Sequence, residues 1–432
     1  MQRVRHALAV GALTIAASAL ADLHDAIDAG STKVEADVIA WRRDIHEHPE
    51  LSNRETRTAA LVAKHLKSLR LEVTTGVAHT GVVGVLKGGK PGPVVALRAD
   101  MDALPVVEQT GLPYASTAKA TYLGQEVGVM HACGHDAHVA ILLGTATTLA
   151  ALRNELPGTV KFIFQPAEEG APPDEEGGAA MMIREGVLRN PDVEAIFGLH
   201  VGQEQTVGQA SYRTHGMMAS AQRFEIRITG KQTHGAMPWA GVDPIVIGAQ
   251  IVTALQTVVS RRVDVTAEPA VVTVGTFQSG TRNNIVPQEA VLSGTIRTFA
   301  PETTKTVHRE LTNIATHVAT SLGGSAEVKI DEGTSITYND PALAQRMRPT
   351  LERVYGASNI AETPRVTVAE DFAEYQREIP GLFFFVGVRP PNAPREQAIP
   401  NHSPFFFVDE AALRDGVRAM AGLAVDYLEG SN

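Results

Sequence analysis

The sequence predicts an α/β protein with a mostly parallel sheet, into which a second domain with a different strand order is inserted. Three observations predict this fold class. Short apolar runs bounded by Gly and Pro alternate with helical patterns along most of the chain. Between residues 219 and 332 the pattern becomes β-α-β-β-α-β, which is the ferredoxin-like arrangement. The length of 432 residues also exceeds what one hydrophobic core usually organises.

The first 21 residues have the pattern of a secretory signal. Arg3 and Arg5 form a positive start, and residues 7–19 are apolar but too short to span a bilayer. Ala19-Leu20-Ala21 then offers a cleavage site between small residues. We therefore expect export to the periplasm or the medium, with an apolar N-terminal helix as the alternative. The remaining chain divides into one domain of residues 22–218 and 333–432 and an inserted domain of residues 219–332.

The elements of the first domain follow from local signals. A helix over residues 36–48 ends before Pro49, and Ser52 and Glu55 form a capping box ahead of a helix that continues to Leu69. Apolar runs predict strands at residues 81–86, 94–97, 159–164, 194–199 and 382–388. Helical spacing predicts two further helices, at residues 139–152 and 410–428.

The inserted domain has a different pattern of apolar and polar residues. Residues 222–229 alternate apolar and polar side chains, as a half-exposed strand does. The other predicted strands lie at residues 270–277, 291–298 and 326–330. The predicted helices lie at residues 244–259 and 302–322. No internal repeat accompanies this change of pattern.

Composition excludes several classes of function. The formal charge is −10, and the chain has no basic run, which argues against binding to nucleic acid or to an anionic membrane. Cys133 is the single cysteine, so no intramolecular disulfide can form. A free thiol in an exported protein needs a reason, and metal ligation supplies one.

Cys133 lies in the stretch MHACGHDAH with three histidines: His131, His135 and His138. Side chains two residues apart point in different directions on a helix, so Cys133 and His135 can share a metal ion only in a loop or at a helix start. Gly134, between them, permits the unusual backbone that this requires. The alternative is a cysteine packed as a small apolar residue beside solvated histidines.

Further polar residues follow the apolar runs of the first domain. They are Asp100, Asp102, Glu168, Glu169, His200 and His402. In an open parallel sheet, sites form outside the carboxyl ends of the strands, so we expect these side chains to gather at one edge. Thiolate, imidazole and carboxylate together suit zinc, cobalt, nickel or manganese, and two such ions could share the set.

The adjacent carboxylates Glu168 and Glu169 can divide the chemistry. One can bind metal while the other accepts a proton from the attacking water. A solvated acidic loop is the alternative, and Glu175 and Glu176 fit that description better. Asp100 and Asp102 share one face of an extended backbone, or cap a turn.

These motifs resemble one known family. In chain order, the motifs are HEHPELS, RADMDALP, MHACGHDAH, PAEEG, FGLH, EDF and NHSP. Together they are similar to the amidohydrolase branch of the metallo-aminoacylase and carboxypeptidase superfamily, which includes hippurate hydrolases, N-acyl-amino-acid amidohydrolases and auxin-conjugate hydrolases. The resemblance covers nearly all of the mature chain.

The resemblance implies a site with two divalent ions per subunit, manganese, zinc, cobalt or nickel. The implied ligands are Cys133, His135, Glu169, His200 and His402. Cys133 stands where relatives outside this branch have a bridging aspartate. Glu168 is implied as the general base and Asp102 as the aspartate that orients a ligand. His131 and His138 are left as structural.

The resemblance also implies roles for the inserted domain, which would be the lid and the homodimerisation domain. His234, in THGAMP, would help to polarise the substrate carbonyl. Asn284 and Arg297 would contact the substrate, although a turn residue and a solvated strand residue are the simpler interpretations. An arginine fork fits the free α-carboxylate of an N-acyl amino acid.

The implied activity is hydrolysis of the amide bond of N-acyl-L-amino acids, which releases a carboxylate and a free amino acid. Two alternatives stay open at this point. One is an exported carboxypeptidase or dipeptidase that uses the same site on short peptides. The other is a periplasmic solute-binding protein, against which Glu168 argues, because a binding protein needs no base beside its ligands.

Overall fold

The structure is a computed structural model that describes residues 2–430, with side chains from residue 23 onward. The side chains of the expected signal segment, residues 1–21, lie outside this description. The strands are β1 (Glu72–Val77), β2 (Gly81–Lys87), β3 (Lys90–Asp100), β4 (Lys119–Tyr122), β5 (Gln125–Gly128), β6 (Pro157–Gln165), β7 (Ala195–Thr206), β8 (Ala210–Tyr212), β9 (His215–Met218), β10 (Ala221–Thr229), β11 (Thr233–His234), β12 (Ala270–Ser279), β13 (Ile285–Val286), β14 (Glu289–Thr298), β15 (Ser325–Thr334), β16 (Thr337–Asn339), β17 (Ile360–Glu362) and β18 (Gly381–Arg389). The α-helices are α1 (Gln2–Glu47), α2 (Thr56–Ser68), α3 (His135–Ala151), α4 (Gly178–Arg184), α5 (Pro244–Arg262), α6 (Pro301–Ser321), α7 (Pro341–Tyr355), α8 (Phe372–Glu378) and α9 (Leu413–Glu429).

Two compact units divide the chain. The first contains Met1–Thr214, Asn339–Thr363 and Tyr375–Asn432, and the second contains His215–Tyr338 and Pro364–Glu374. The second unit is therefore larger than the expected residues 219–332.

The added segment of the second unit is held by specific contacts. The Val366 N–H donates to the Met217 carbonyl at 3.1 Å. The Arg365 guanidinium lies 2.8 Å from the Glu268 carboxylate. Both pairs join residues far apart in the chain, so the sequence pattern of either segment alone does not reveal them.

The first unit is built on an eight-stranded sheet with the order β1-β2-β6-β3-β7-β18-β8-β17. Its four central strands, β6, β3, β7 and β18, are parallel, and antiparallel pairs flank them. The predicted mostly parallel α/β fold is confirmed. The central strands are almost continuously buried and apolar, as expected where both faces of a parallel sheet are covered.

Helices α1, α3 and α9 pack against one another, and α3 and α9 also contact the central strands. Helix α3 is buried along nearly its whole length. A helix that is apolar all round belongs inside a core, and α3 is packed in this way. Its first residue, His135, is therefore held by a rigid element.

The capping box expected from Ser52 and Glu55 is wrong. Helix α2 begins after Glu55, whose side chain makes no cap hydrogen bond. Ser52 Oγ instead donates to the Asp102 carboxylate at 2.8 Å, and Glu55 accepts the Ala167 N–H at 3.0 Å. Buried partners distant in sequence therefore replace the local cap.

The second unit contains a four-stranded antiparallel sheet with the order β12-β14-β10-β15. Helix α5 connects β10 to β12, and α6 connects β14 to β15. Ile247, Ile251 and Leu255 of α5 are buried in the core of this unit. Of the described helices, α5 alone has the length and hydropathy of a membrane span, a property that buried core helices share.

Candidate metal centre

The centre starts at the N-terminus of α3. Gly134 precedes the helix with φ +92°, in the left-handed region. A Cβ at this position would lie 2.3 Å from Val201 Cγ2, so both the backbone and the space require glycine. The turn lets Cys133 and His135 face the same point although they are two residues apart.

The structure brings all five predicted metal ligands together. Ligand atoms of Cys133, His135 and His200 lie within 4.8 Å of one another, and so do those of Cys133, Glu169 and His402. Cys133 belongs to both triads. Its Sγ lies 3.4 Å from His200 Nε2, and His402 Nε2 lies 3.0 Å from Glu169 Oε1. Two triads that share a sulfur are the arrangement that a pair of ions with one bridging ligand needs.

His135 has the geometry of a metal ligand. Its Nδ1–H donates to the Asp102 carbonyl at 2.8 Å. Its Nε2 is buried and has no hydrogen-bond partner among the described residues. A histidine that donates through one nitrogen and offers the other to the metal is the usual ligand state, so a bound cation would take the place of a proton on His135 Nε2.

His200 does not follow its strand, as the sequence suggested, but lies inside β7, which continues to Thr206. Its Nδ1–H donates to the Val201 carbonyl at 2.8 Å, which directs Nε2 toward Cys133. The strand continues because its next residues, Val201 and Gly202, are buried and pair with β18.

His402 is held by its loop. Its backbone has φ +70°, which is uncommon for a non-glycine residue, and its N–H donates to the Ala132 carbonyl at 2.8 Å. Asn401 Nδ2 donates to the carbonyls of Cys133 and Val201 at 2.9 and 3.2 Å. Asn401 therefore ties the loop to both triads. Sequence reasoning assigned it no role, although its place before His402 in NHSP was the available signal.

Asp102 organises the turn that carries the two glutamates. Its carboxylate accepts the backbone N–H groups of Glu168 and Glu169 at 3.1 and 3.0 Å, in addition to the Ser52 hydroxyl. Burial alone would raise the pKa of Asp102, but hydrogen bonds from His135, Glu169 and Ser52 keep it below its ordinary value. Asp102 is therefore an anion that fixes the two adjacent peptide groups.

Glu168 lies beside the triads. Its Oε2 is 3.9 Å from His135 Nε2, and its ligand atom groups with those of His135 and Glu169 within 4.8 Å. Its side chain is only 9% exposed. A carboxylate at this place is near enough to act on a water molecule held at the centre.

His138 is unsuited to ligation, although Asp100, His135 and His138 also lie close together. Its Nδ1–H donates to Asp100 at 2.6 Å, and its Nε2 accepts the Val201 N–H at 2.9 Å. Asp100 is in turn paired with Arg98 at 2.5 Å. Both nitrogens of His138 are engaged, so its role is to support β7 and β3.

His131 is fully buried beside this region. Burial lowers its pKa to about 3, so the imidazole is neutral at physiological pH. Among the described residues, neither of its nitrogens has a hydrogen-bond partner. It does not belong to either triad.

The electrostatics of the centre favour a bound cation. Burial, together with the nearby carboxylates of Glu169 and Glu168, raises the pKa of the Cys133 thiol well above its ordinary value. Burial alone would lower the pKa of His135, but Asp100 and Asp102 raise it to about 10. Anionic groups thus dominate a buried site, and divalent cations would offset them and stabilise the thiolate.

A buried ion-pair group supports the start of α3. Asp136 lies 2.7 Å from Arg42 and 2.8 Å from His46, and His46 also lies 3.1 Å from Glu108. These contacts join α1 to the helix that begins with His135. His46, in the motif HEHPELS, thus acts in packing and lies outside both triads.

The second unit carries the other predicted residues. Strand β11 places His234 opposite Ile285 of β13, and the Gly235 N–H donates to the Asn284 carbonyl at 2.8 Å. His234 and Asn284 are exposed neighbours at this antiparallel pair of short strands. Arg297 is half-buried on β14, a different strand, with Nη1 3.5 Å from the Ser220 carbonyl.

A cavity of about 130 Å³ in the first unit adjoins Glu169. The apolar part of its wall includes Leu51, Leu104, Pro105, Tyr122, Leu123 and Pro172. Ser52 and Arg54 supply polar groups at its margin. The cavity therefore combines apolar and polar groups beside a residue of the centre, as small-molecule sites do.

Comparisons with known proteins agree with this geometry. The profile described as Peptidase family M20/M25/M40 matches residues 96–426. Thermostable carboxypeptidase 1 of Saccharolobus solfataricus is 39% identical over 408 residues, which cover 94% of this chain and 99% of that protein. N-acetylcysteine deacetylase of Bacillus subtilis is 40% identical over 394 residues, 91% of this chain and 97% of that protein.

A solved structure agrees as well. A Bacillus subtilis protein described as a dinuclear metal binding peptidase from the M20 family superimposes with a TM-score of 0.77 at 37% identity, over 92% of this chain and 99% of that chain. The fold is thus shared over nearly the whole length of both chains. With two ligand triads that share Cys133, and with matches to family and structure over most of its length, the chain belongs to peptidase family M20/M25/M40.

Proposed function

We propose that the chain is a two-metal amidohydrolase that cleaves the amide bond of N-acyl-L-amino acids and releases a carboxylate and a free amino acid. The observation that carries the proposal is the pair of triads sharing Cys133, with Glu168 beside them. A relative named N-acetylcysteine deacetylase supports the substrate class. A solved relative described as dinuclear supports two ions per subunit.

Each ion would have two ligands of its own and share a third. His135 and His200 would hold one, Glu169 and His402 the other, and Cys133 both. Manganese, zinc, cobalt and nickel all suit such a mixed set. When bound, the pair would polarise the amide carbonyl and make water a better nucleophile at neutral pH.

The chain's own residues handle the proton. Glu168 would take a proton from the attacking water and pass it to the leaving amine nitrogen. Asp102 keeps the peptide groups of Glu168 and Glu169 in place, so the positions of the base and the ligand relative to each other are fixed. Burial of the centre strengthens these electrostatic effects by excluding water.

The second unit supplies substrate contacts in this proposal. His234 would donate a hydrogen bond to the carbonyl oxygen as negative charge develops there. Asn284, its neighbour beside the β11–β13 pair, and Arg297 would bind the amino-acid part, with Arg297 pairing with the α-carboxylate. This unit would also form a homodimer, for which its exposed apolar residues Trp239, Val265 and Val271 are available as contacts.

The second candidate is a carboxypeptidase, favoured by the relative named thermostable carboxypeptidase 1. Both activities need a free α-carboxylate, so the two substrate classes differ only in the group on the carbonyl side of the cleaved amide bond. Acetyl-, benzoyl- and indole-acyl amino acids should be assayed beside dipeptides and N-blocked peptides. Higher kcat/KM for the N-acyl amino acids supports the amidohydrolase, and preference for peptides supports the carboxypeptidase.

Removal and replacement of the metal ions test the two-metal part of the proposal. Protein stripped with a chelator should lose activity and regain it with each candidate ion, at a stoichiometry of about two per chain at full activity. Activity that survives complete removal of metal would contradict the proposal. Tight retention of an N-acyl amino acid without turnover, in metal-loaded protein, would instead favour a binding protein.

We also propose that the protein is exported and cleaved after Ala21. Cleavage there would keep Leu23, Ile27 and Val34, which are the buried apolar residues of α1 closest to the cut. N-terminal sequencing of the protein from its source should find Asp22 first. A mature chain that begins at Met1 in the cytoplasm would contradict this proposal.

A further inference from the structure

Glu55 is a buried carboxyl group to which the proposed reaction gives no role. Its relative exposure is 0%, and it lies in the loop between α1 and α2. It is not a helix cap, because its side chain makes no cap hydrogen bond. A buried carboxyl is costly unless its oxygens have partners, so the partners of Glu55 indicate its role.

One of those partners lies in the turn that carries Glu168 and Glu169. Glu55 Oε1 accepts the N–H of Ala167 at 3.0 Å and the N–H of Asn53 at 3.1 Å. Oε2 accepts the hydroxyl of Thr80 at 2.5 Å. Ala167 immediately precedes Glu168 and has φ +54°, a backbone that a non-glycine residue adopts only when its surroundings hold it there.

Two buried carboxyls thus hold three consecutive amides. Glu55 binds the Ala167 N–H, and Asp102 binds the N–H groups of Glu168 and Glu169. Because a peptide group is planar, a fixed N–H fixes the orientation of its whole peptide unit. Without Glu55, the turn would lose the anchor at its strained residue and keep the two that Asp102 supplies downstream.

We propose that Glu55 is a positioning residue that holds the Ala167 amide and thereby fixes where Glu168 and Glu169 point. The proposal rests on the proposed function only for the role of Glu168 as the base. The neutral acid and a glutamine can keep the same partners: one oxygen accepts both N–H groups, and the OH or NH2 end can donate to the Thr80 hydroxyl oxygen, which reverses the direction of the bond that the carboxylate accepts. Loss of the side chain removes all of them.

The test compares Glu55→Ala, Glu55→Gln and a matched control, Asp426→Ala. Asp426 is another buried carboxylate, bound to Thr350 at 2.5 Å and to Arg353 at 3.0 Å, away from the turn. Hydrogen–deuterium exchange of the peptide that contains Ala167 is the direct readout. We expect faster exchange in Glu55→Ala, and protection close to wild type in Glu55→Gln and in Asp426→Ala.

Kinetics give the second readout. Per metal-loaded site, and with any amide that the wild type cleaves, Glu55→Ala should lower kcat about 10–100-fold with little change in KM, the size of effect typical of residues that orient a metal site. Glu55→Gln should restore most of that loss. If wild type cleaves no amide, the proposed function fails while the exchange experiment still decides the role of Glu55.

Three results would overturn the proposal: unchanged exchange at Ala167 in Glu55→Ala, an equal loss in Asp426→Ala, or a glutamine variant as impaired as the alanine variant. If Glu55→Ala does not fold, Thr80→Val replaces it, since it removes only the hydroxyl that donates to Glu55. It should raise exchange at Ala167 by a smaller amount, and unchanged exchange there would equally overturn the proposal.

Discussion

The two units place their functional residues in opposite environments. In the first unit, Cys133 and His135 are buried, the Cys133 carbonyl accepts from Asn401, and the His135 ring donates to the Asp102 carbonyl. In the second unit, His234 and Asn284 are exposed beside the short β11–β13 pair, and one face of the β15 strand is exposed. The same contrast appears in the sheets, since the central strands of the first unit are buried along almost their whole length.

This difference indicates a division of labour. Metal ligation needs ligand atoms fixed to within fractions of an ångström, which burial and dense hydrogen bonding provide. Groups that contact a substrate or a second copy of the chain must reach the surface. Changes in the first unit should therefore alter metal binding or the base, and changes in the second unit should alter catalysis while leaving metal content intact.

The largest effect is expected from Glu168→Gln in the first unit. The glutamine keeps the shape but cannot take a proton, so kcat should fall by about 10²–10⁴-fold with unchanged metal content. Steady-state kinetics and metal analysis check this. Glu176→Gln, on the exposed loop nearby, is the control and should retain activity. Near-normal kcat in Glu168→Gln would remove Glu168 as the base.

His234→Ala is the corresponding change in the second unit. Loss of a donor to the developing oxyanion should lower kcat/KM by about 10²–10³-fold. Because His234 is exposed, metal content and Tm should stay at wild-type values. His317→Ala, on an exposed face of α6, is the control. Loss of metal in His234→Ala would break the proposed division between the units.

Asp102→Asn should weaken metal binding by about 10–100-fold. Its carboxylate accepts from Glu168, Glu169 and Ser52, and an amide would direct its own N–H groups at one of these donors. Competition with a chelator measures the affinity. Asp340→Asn, at the N-terminus of α7, should leave that affinity unchanged. Equal affinity in wild type and Asp102→Asn would show that the turn is held by other contacts.

The smallest expected effect is a pH dependence from Glu55. Burial, followed by the charge of Asp102, raises the pKa of Glu55 from its ordinary 4.5 to about 7, while Arg54 faces it as a cation. Between these values the folded state keeps a proton that the unfolded state has released. The contribution of Glu55 to stability is therefore complete at low pH and falls as pH rises through this window.

Glu55→Gln removes that titration. Relative to wild type, the metal-free variant should gain at most about 3 kcal/mol of stability between pH 5 and pH 8, since each pKa unit of the shift corresponds to about 1.4 kcal/mol. Denaturant unfolding at both pH values measures the difference. A difference that does not depend on pH would show that Glu55 is ionised in the folded state throughout this range.

Much of the first unit could be predicted from the sequence, because strongly apolar runs specify buried strands whatever their distant neighbours. The five predicted ligands meet because strand ends and a helix start share one sheet edge. The position of His200 was less predictable, since β7 continues through it.

The contacts that hold the site could not be read from local patterns. Ser52 and Glu55 have the spacing of a capping box, yet Asp102 and the Ala167 amide use them instead. A buried N–H without a partner costs more than an unmade helix cap at the surface, so the distant partner prevails. Asn401 is similar, since its value lies in reaching carbonyls more than 190 residues away in the chain.

The central claim is that one sulfur serves both ions, and a cobalt titration of metal-free wild type and Cys133→Ser tests it most directly. Because Cys133 belongs to both triads, the variant should bind both equivalents more weakly and lose the thiolate–cobalt charge-transfer absorption at each step. Two unchanged binding constants with an unchanged spectrum would contradict the account. Weakening of a single equivalent, with the other intact, would also contradict it, because Cys133 would then belong to one ion only.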